Sequence, residues 1–562
     1  MDRPWFEFFD EGVPRTLALP IPDLVIPDFL AQSAQKYPKQ TATIFMGARL
    51  NYLHLYHKVQ HLAGALHQLG IEKGDRVGII LPNCPQMVMS YYAVLSLGAV
   101  TVLTNPLYVE RELEHQWGDA DVKLVITLDL LFPKVQSVCA RLGVSNIIVT
   151  GVQDYLPIAK KLLLPFELRR QGRWVDVKYD EDHVLAFRAL AERRQPKPPQ
   201  VSISQDDLAC LQYTGGTTGL PKGAMLTHKN LLASVTQIRM FLLQGHEEAT
   251  EKVVAILPLF HVYGMNGVMN LGVLIAATLV LLPRFEIKDL VDAIRTEKPT
   301  FFLGVPALYS AVLNYAGIED IDMTSIKVCF SGAAPLPVEV IRQFEERTGS
   351  RIAEAYGMTE ASSVTHVNPR QGRRKFGSVG IPIVGTDARI VDIDDGRTLG
   401  LNEQGELLIK GPQIMQSYWN DPDETAEAFA EGGWLRTGDI AVMDEDGYFT
   451  IVDRKKDIII TGGYNVYPRE VEEVLYQHPQ VEHAAVIGLP SEVRGERIAA
   501  YIKLKAGESA TKAEFRRFCR EHLADYKCPR SFEFRDELPM SIAGKVLRRV
   551  LREEELQNAN TN

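Results

Sequence analysis

The sequence predicts an α/β protein of at least two domains: a helix-covered parallel sheet first, and a compact α+β unit at the end. Three observations predict it. The 562 residues exceed what a single hydrophobic core organises. From Leu53 onward, stretches with apolar residues three and four apart alternate with short apolar runs, the pattern of helices between parallel strands. Several of those runs end at or near a glycine, as strands do where they open into one crevice.

In order, Phe29 to Tyr37 reads as helix, Ala42 to Met46 as a short strand and Leu53 to Leu69 as helix. Gly74 to Leu81 is a turn into a buried strand. Pro85 to Leu97 is helix, Ala99 to Leu103 strand, Glu110 to Trp117 helix and Lys123 to Thr127 strand. Residues 155–173 mix leucines with Lys160, Lys161, Arg169, Arg170 and Arg173. Such a piece suits an anionic membrane surface, and equally a surface helix packed on its own domain. Glu192 to Pro199 is a proline-rich connector.

Asn230 to Leu243 is then helical and Lys252 to Leu257 a buried strand. Phe301 to Val305, Val328 to Pro335 and Ile352 to Glu360 each read as a strand with a glycine near its exit. The longest largely apolar run, Leu271 to Leu282, is too short to cross a bilayer and stops at Pro283, so it reads as a buried helix or strand. At the end, helices at Glu470 to Gln477 and Lys512 to His522 alternate with strands at Glu482 to Ile487 and Arg497 to Leu504. A polar tail after Glu555 is expected to be disordered.

The stretch around which the rest is organised is Leu211 to Met225, whose centre, Thr214 to Gly219, holds only glycine and threonine. Gly215, Gly216 and Gly219 leave backbone N–H groups unshielded and permit positive φ, so the loop can wrap an anion. The hydroxyls of Thr214, Thr217 and Thr218 add donors, and Lys222 adds a mobile positive charge. A strand enters on the apolar side and another leaves. A flexible linker of small residues would lack those hydrophobic flanks. Lys222 lies between Pro221 and Gly223, unlike a P-loop lysine, and no two glycines are spaced Gly-x-Gly, so the common nucleotide fingerprints are absent.

Composition narrows the class. With 46% hydrophobic and 23% charged residues, a net charge of −10 and a pI near 5.8, the chain reads as an ordinary globular protein with no wholesale nucleic-acid role. Its six cysteines never form Cys-x-x-Cys and read as scattered reduced thiols. The acidic start is unlike a signal peptide. A cytoplasmic protein is expected, with a possible peripheral site on the inner face of the membrane.

Beyond these readings the chain resembles the adenylate-forming superfamily of acyl-CoA synthetases, peptide-synthetase adenylation domains and firefly luciferase. The resemblance rests on the glycine–threonine loop, Tyr356-Gly-Met-Thr-Glu360, Gly433-Trp-Leu-Arg-Thr-Gly-Asp439, Ile451-Val-Asp-Arg-Lys-Lys-Asp457, Gly462-Gly-Tyr-Asn-Val-Tyr-Pro-Arg-Glu470 and Gly544-Lys545. Together they run in the family's order over roughly residues 25–550. The stretch from Gly433 to Glu470 and the overall length look most like bacterial long-chain fatty-acid–CoA ligases.

That resemblance implies a large N-terminal domain, residues 1–454, of stacked helix-covered sheets plus a small distorted barrel, and a mobile C-terminal lid, residues 455–562, on a hinge at Lys456. It implies activation of a carboxylic acid by ATP and transfer to CoA. Glu360, with Thr214, would hold Mg²⁺, which suits carboxylate and phosphate oxygens. Thr359 would bond the α-phosphate; Tyr356, with Gly357 and Met358, would meet adenine opposite Gly332, Ala333 and Ala334. Asp439 would accept the ribose hydroxyls and Arg454 would reach the same sugar. Lys545 would follow the charge that develops during attack on the α-phosphorus. Gly462, Gly463 and Tyr464 would flank the pantetheine arm of CoA, and His261 would sit by the acyl carboxylate. Each has a plainer reading: a core aromatic at Tyr356, a turn at Asp439, a satisfied core histidine at His261, an exposed lysine at Lys545.

The substrate implied is a medium- or long-chain fatty acid, with apolar residues in 231–243, 260–268 and 301–309 as a possible acyl tunnel. An aryl (coumarate-like) acid, or a silent nucleotide- or lipid-binding relative, are the alternatives. Ile460 stands where luciferases have a lysine, which argues against oxygen chemistry. The short stretch after Lys545 argues against a peptide-synthetase module. A homodimer is a further possibility.

Overall fold

The computed structural model describes residues 3–561, apart from 181–182, 215–220, 244–245, 335, 462–463, 492–494 and 541–545, and without the side chains of 242 and 558–561. Among the described residues, two large sheets form the body of the molecule. One has seven strands, ordered Val184–Ala186, Asn146–Thr150, Val122–Leu128, Arg76–Ile80, Val100–Leu103, Leu208–Thr214 and Lys222–Thr227. Its pairs are parallel except the last, a hairpin in which Thr214 faces Lys222 across the glycine–threonine loop. The expected entering and leaving strands are therefore both present.

The second sheet has nine strands. Thr41–Phe45, Thr278–Leu281, Lys252–Ala255, Phe301–Gly304, Val328–Ser331 and Ile352–Met358 run parallel, and antiparallel strands close both edges. Helix Pro85–Ser96 is buried on every face from Pro85 to Leu95, as its unbroken apolar sequence requires of an interior helix. Just before it, Asn83 ties the two halves: its amide donates to the Ala255 and Leu257 carbonyls at 2.8 and 2.9 Å and accepts from Leu259 N–H at 2.8 Å. This buried amide fixes how the exit of strand Lys252–Ala255 meets the first half.

A five-stranded antiparallel sheet occupies the place of the expected small barrel: Asp387–Val391, Gln404–Lys410, Trp434–Met443 and Phe429–Ala430, with Phe449–Arg454 on Trp434–Met443. After Arg454 the chain enters the α+β unit, whose five strands carry helices Pro468–Tyr476 and Lys512–His522. The latter starts at a capping box, Thr511 N–H donating to Glu514 at 2.7 Å and Thr511 Oγ1 accepting from Glu514 N–H at 3.3 Å. This unit has its own apolar clusters, centred on Val471, Val486 and Phe515 and on Leu489, Tyr501 and Leu551, apart from the cores of the larger part.

Three expectations change. The polar tail is not disordered over its described length: Arg548–Thr561 is a helix, anchored by fully buried Leu551 and by ion pairs Arg552–Glu496 at 2.8 Å and Arg535–Glu554 at 2.5 Å. The run Leu271 to Leu282 is neither one helix nor one strand; a helical turn, Leu271–Leu274, precedes strand Thr278–Leu281, after a π-helical segment Tyr263–Asn270. The basic leucine-rich piece is a helix, Ile158–Arg170, but its apolar side does not all pack inward. Ile158, Leu162, Leu163 and Phe166 are 80%, 73%, 67% and 72% exposed. The six cysteines are free and buried, and no described helix is long and apolar enough to cross a membrane.

Two buried histidines set an acid limit. His228 accepts from Ile26 N–H at 3.3 Å, and burial pushes its pKa down to about 4; burial pushes His366 down to about 3. Both fold as the neutral form, whereas the unfolded chain takes up protons near pH 6.5. Stability is therefore complete above pH about 6.5 and falls as the pH drops toward 4, by roughly 3 kcal/mol for each histidine. Urea unfolding at stepped pH should show this loss, and His366→Gln should flatten it; an unchanged acid limb in that variant would contradict the assignment.

Candidate active site

The site begins with a turn that its sequence can barely make. Strand Ile352–Met358 runs into a short 3₁₀ turn, Thr359–Ala361, and returns as Ser363–Val367. Ser362 and Ser363 have φ of 54° and 130°, conformations that L side chains seldom adopt. A β-carbon on Gly357 would lie 1.7 Å from the Ser363 carbonyl oxygen, so only glycine fits there. The surrounding structure holds this strain. The Ser362 carbonyl accepts from Ser234 Oγ at 3.0 Å and Asn266 Nδ2 at 2.9 Å, and Ser362 Oγ donates to Gln413 O at 2.8 Å.

Glu360 projects from that turn. Its carbonyl accepts from Met415 N–H at 2.7 Å, and its carboxylate accepts the Tyr418 hydroxyl at 2.7 Å. Tyr418 is bridged to Ala224, next to Lys222, whose ammonium lies 5.6 Å from the Tyr418 ring centre and pairs with Glu424. Lys222, Tyr418 and Glu360 therefore form one connected group, and Thr214 faces Lys222 across the hairpin.

A second group forms around Asp439, which is 3% exposed. Its Oδ2 accepts the Tyr356 hydroxyl at 2.5 Å and its Oδ1 pairs with Arg454 Nε at 2.6 Å. Asp439 and Arg454 face each other in the strand register, so the pair follows directly from the ladder. The Asp439 charge holds the Arg454 pKa above its ordinary value, with Tyr356 and Glu360 also felt there. Lys456, lowered first by burial and then by Arg454, also senses Asp439 and Lys222. The two groups thus share one electrostatic neighbourhood.

Other expected residues fall around them. Gly332 lies against Tyr263: a β-carbon there would meet the ring at 3.2 Å. Ala333 has a left-handed φ of 69°. The Tyr263 hydroxyl and Ser331 Oγ are buried and have no hydrogen-bond partner among the described residues. His261 stands in the loop after Lys252–Ala255, its Nδ1 accepting from Tyr263 N–H at 3.3 Å. The side chain is exposed to solvent, and desolvation by the surrounding protein lowers its pKa. Tyr464 is elsewhere, 58% exposed on the α+β unit and stacked on Tyr526 at 4.7 Å. Gly215, Gly216, Thr217, Thr218, Gly219, Gly462, Gly463 and Lys545 lie outside the described residues.

Sequence reasoning missed Tyr418, Glu424, Tyr263, Ser234 and Asn266. The available signal was the aromatic pair Tyr418–Trp419 followed by the acidic Asp421, Asp423 and Glu424.

Residues 30–419 match the AMP-binding enzyme family, and residues 470–545 match the AMP-binding enzyme C-terminal domain. The chain belongs to the AMP-binding enzyme family. It is 45% identical over 561 residues to the long-chain-fatty-acid–CoA ligase of Bacillus subtilis (strain 168), covering 99% of each chain. Among solved structures, ATP-bound MatB from Rhodopseudomonas palustris superposes with a TM-score of 0.83 at 27% identity, over 94% of this chain and 99% of that one. Apo MatB gives 0.73 at 28% identity with the same coverage.

The site fits what AMP-binding enzymes handle. No group of three His, Cys, Asp or Glu gathers among the described residues to cage a metal. A lone carboxylate, Glu360, beside the tip of a threonine strand instead suits Mg²⁺ shared with the phosphate oxygens of ATP. Asp439 spends two acceptor positions on Tyr356 and Arg454, and a carboxylate has about four, so two remain for a sugar diol.

Two substitutions test this geometry. Gly357→Ala should cost at least about 2 kcal/mol in chemical unfolding, because the Ser363 carbonyl must move. Tyr418→Phe should leave stability nearly intact while raising the Mg²⁺ concentration needed for half-maximal Mg–ATP binding about tenfold. An unchanged Mg²⁺ dependence would detach Tyr418 from the role.

Proposed function

We propose that this chain is an AMP-forming fatty-acid–CoA ligase that activates a medium- or long-chain acid with ATP and passes the acyl group to CoA. One observation carries the reading: Tyr356, Asp439 and Arg454 meet beside the Glu360–Tyr418–Lys222 group, in a chain alike over its whole length to a long-chain-fatty-acid–CoA ligase.

In the first step a carboxylate oxygen of the acid attacks the α-phosphorus of ATP; the bond to the β-phosphate breaks, and pyrophosphate leaves with that electron pair. The loop Thr214 to Gly219, Lys222 and Thr359 hold the phosphates. Tyr356, Gly357 and Met358 face the adenine against Gly332, Ala333 and Ala334, and Asp439 with Arg454 holds the ribose. Glu360 and Thr214 would hold Mg²⁺, which when bound would neutralise charge on the phosphate oxygens. Lys545 donates to the oxygens on which charge develops. In the second step the CoA sulfur, as thiolate, attacks the acyl carbonyl and AMP leaves with its phosphate oxygen. His261 lines the path to that carbonyl.

The lobes divide at 1–454 and 455–562, with Lys456 as the hinge; the separate apolar clusters on either side support this. Rotation brings Gly462, Gly463 and Tyr464 to the pantetheine arm. The acyl chain lies among apolar residues of 231–243, 260–268 and 301–309. An aryl acid would need a shorter pocket. A silent relative would have no reason to keep Lys545, Glu360 and Asp439 together.

Helix Ile158–Arg170 adds a contact with the inner membrane face, where fatty acid enters. Ile158, Leu162 and Phe166 are spaced one turn apart and exposed, with Lys160, Arg169, Arg170 and Arg173 around them, on a chain of net charge −10. A homodimer through this face would set those cations against their own copies, so anionic lipid is the better partner.

Three measurements test these statements. A panel of acids of rising chain length, scored by pyrophosphate release, should peak in the medium-to-long range; a peak with coumarate would make this an aryl-acid ligase. Lys545→Ala should cut ATP–pyrophosphate exchange roughly a hundredfold or more while sparing thioester formation from supplied acyl-adenylate. Leu162→Glu with Phe166→Glu should lower co-sedimentation with anionic vesicles about tenfold without changing activity in detergent-free solution. Equal sedimentation would remove the membrane contact.

A further inference from the structure

The C-terminal helix opens at Arg548, whose guanidinium is shared among carboxylates from three segments. Its Nε and Nη2 clasp Glu472 of helix Pro468–Tyr476 at 3.1 and 2.7 Å. Its Nη1 reaches Asp453, on strand Phe449–Arg454, at 2.9 Å and Asp457 at 3.0 Å. Asp453 is 4% exposed and takes two further bonds, from Arg454 N–H at 2.8 Å and Arg469 N–H at 2.6 Å. Arg469 also donates from its guanidinium to the Ile451 carbonyl.

These contacts sort by side of the hinge. Ile451 and Asp453 belong to the five-stranded sheet of the larger part; Asp457, Arg469, Glu472 and Arg548 follow Lys456. Turning the C-terminal lobe as a rigid body about Lys456 leaves Arg548–Glu472 intact. It must break Arg548–Asp453 and both contacts of Arg469. Breaking them leaves the Asp453 carboxylate only its bond from Arg454 N–H, so the arrangement is held, not neutral. Only a guanidinium can do this, because its fork meets Glu472 with one edge while Nη1 reaches the two aspartates; a lysine ammonium cannot span all three. The chain as a whole superposes on ATP-bound MatB with a TM-score of 0.83 and on apo MatB with 0.73.

We propose that Arg548 is a positioning residue for the adenylation step: bonded to Asp453, it latches the C-terminal lobe, with Lys545 three residues before it in the sequence, in the ATP-facing orientation. Release of Asp453 is then the event that lets the lobe turn for thioester formation. This rests on the two-step reading above. Arg548 touches neither substrate nor nucleotide, and its effect runs through the lobe's orientation.

The test uses the full chain with Arg548→Lys, which keeps the charge and loses the fork, and separately Asp453→Asn, which keeps the shape and loses the charge. All six native cysteines are buried, so spin labels can be placed at Glu319→Cys and Lys512→Cys, exposed on the two lobes. The label distance with Mg–ATP bound should shift or broaden in both variants relative to the parent. ATP–pyrophosphate exchange with oleate should fall about a hundredfold, the scale of a misplaced catalytic group. Thioester formation from supplied oleoyl-adenylate should stay within about twofold, because that orientation does not use the latch. Unmoved labels, or equal losses in both half-reactions, would overturn the latch and leave Arg548 a structural residue. If the parent releases no pyrophosphate with any acid, the ligase reading fails, and the label distances alone decide the latch.

Discussion

The interaction on which the rest depends is the meeting of three strands at Asp439. Tyr356 comes from the nine-stranded sheet, Asp439 from the five-stranded sheet and Arg454 from that sheet's last strand before the hinge. A carboxylate 3% exposed has lost most of its hydration, and two charge-assisted bonds replace it. Such a pair adds little net stability over an apolar core. What it does is fix register: the nine-stranded sheet, the five-stranded sheet and the strand that ends at Arg454 cannot shift independently without stranding that charge. The order of layers is therefore set at the place where the chemistry happens.

The same logic explains why the strained turn after Gly357 persists. Left-handed serines and a carbonyl packed where a β-carbon would sit are unfavourable taken alone. Ser234, Asn266 and Gln413, from three distant segments, over-determine that conformation. Asn266 belongs to the π-helical segment Tyr263–Asn270, whose extra residue per turn re-aims side chains toward the turn. Its neighbour Asn270 accepts the Tyr92 hydroxyl and donates to Tyr91, so the network runs from the interior helix to the rim of the site. Rigidity at Glu360 is thus inherited from the core.

Much of this was legible in the sequence, and the rest was hidden for identifiable reasons. Tyr356, Glu360, Asp439 and Arg454 stand in short strings whose residue types carry their own chemistry, and the alternation of apolar runs gave the parallel sheets. Tyr418 and Glu424 were invisible because their partners, Glu360 and Lys222, lie 58 and some two hundred positions away in the chain, and only tertiary register joins them. The last helix was hidden by composition. Its end, after Glu555, reads as a polar tail, yet upstream Leu551 seals a small cluster with Leu489, Tyr501 and Leu538 while Arg535 and Glu496 pair with Glu554 and Arg552. A single buried leucine gives no periodicity to detect.

The charge distribution around the proposed hinge at Lys456 shows how a lobe could turn and still be ordered. Arg454, Lys455 and Lys456 follow one another, and the first two are held by different acids: Arg454 by Asp439 and Lys455 by Glu406 at 3.1 Å, while burial and neighbouring Arg454 lower the pKa of Lys456. The two outer anchors, Asp439 and Glu406, both lie on strands of the five-stranded sheet, so the chain is firmly tied up to Lys455. Among the described residues Lys456 is the first of the three without such an ion pair, and Asp457 already belongs to the acids gathered by Arg548. A change of backbone angle is therefore cheapest at one peptide, between a strand that cannot follow and a lobe that turns whole. The proposed hinge is narrow because charge pairing leaves it nowhere else to be.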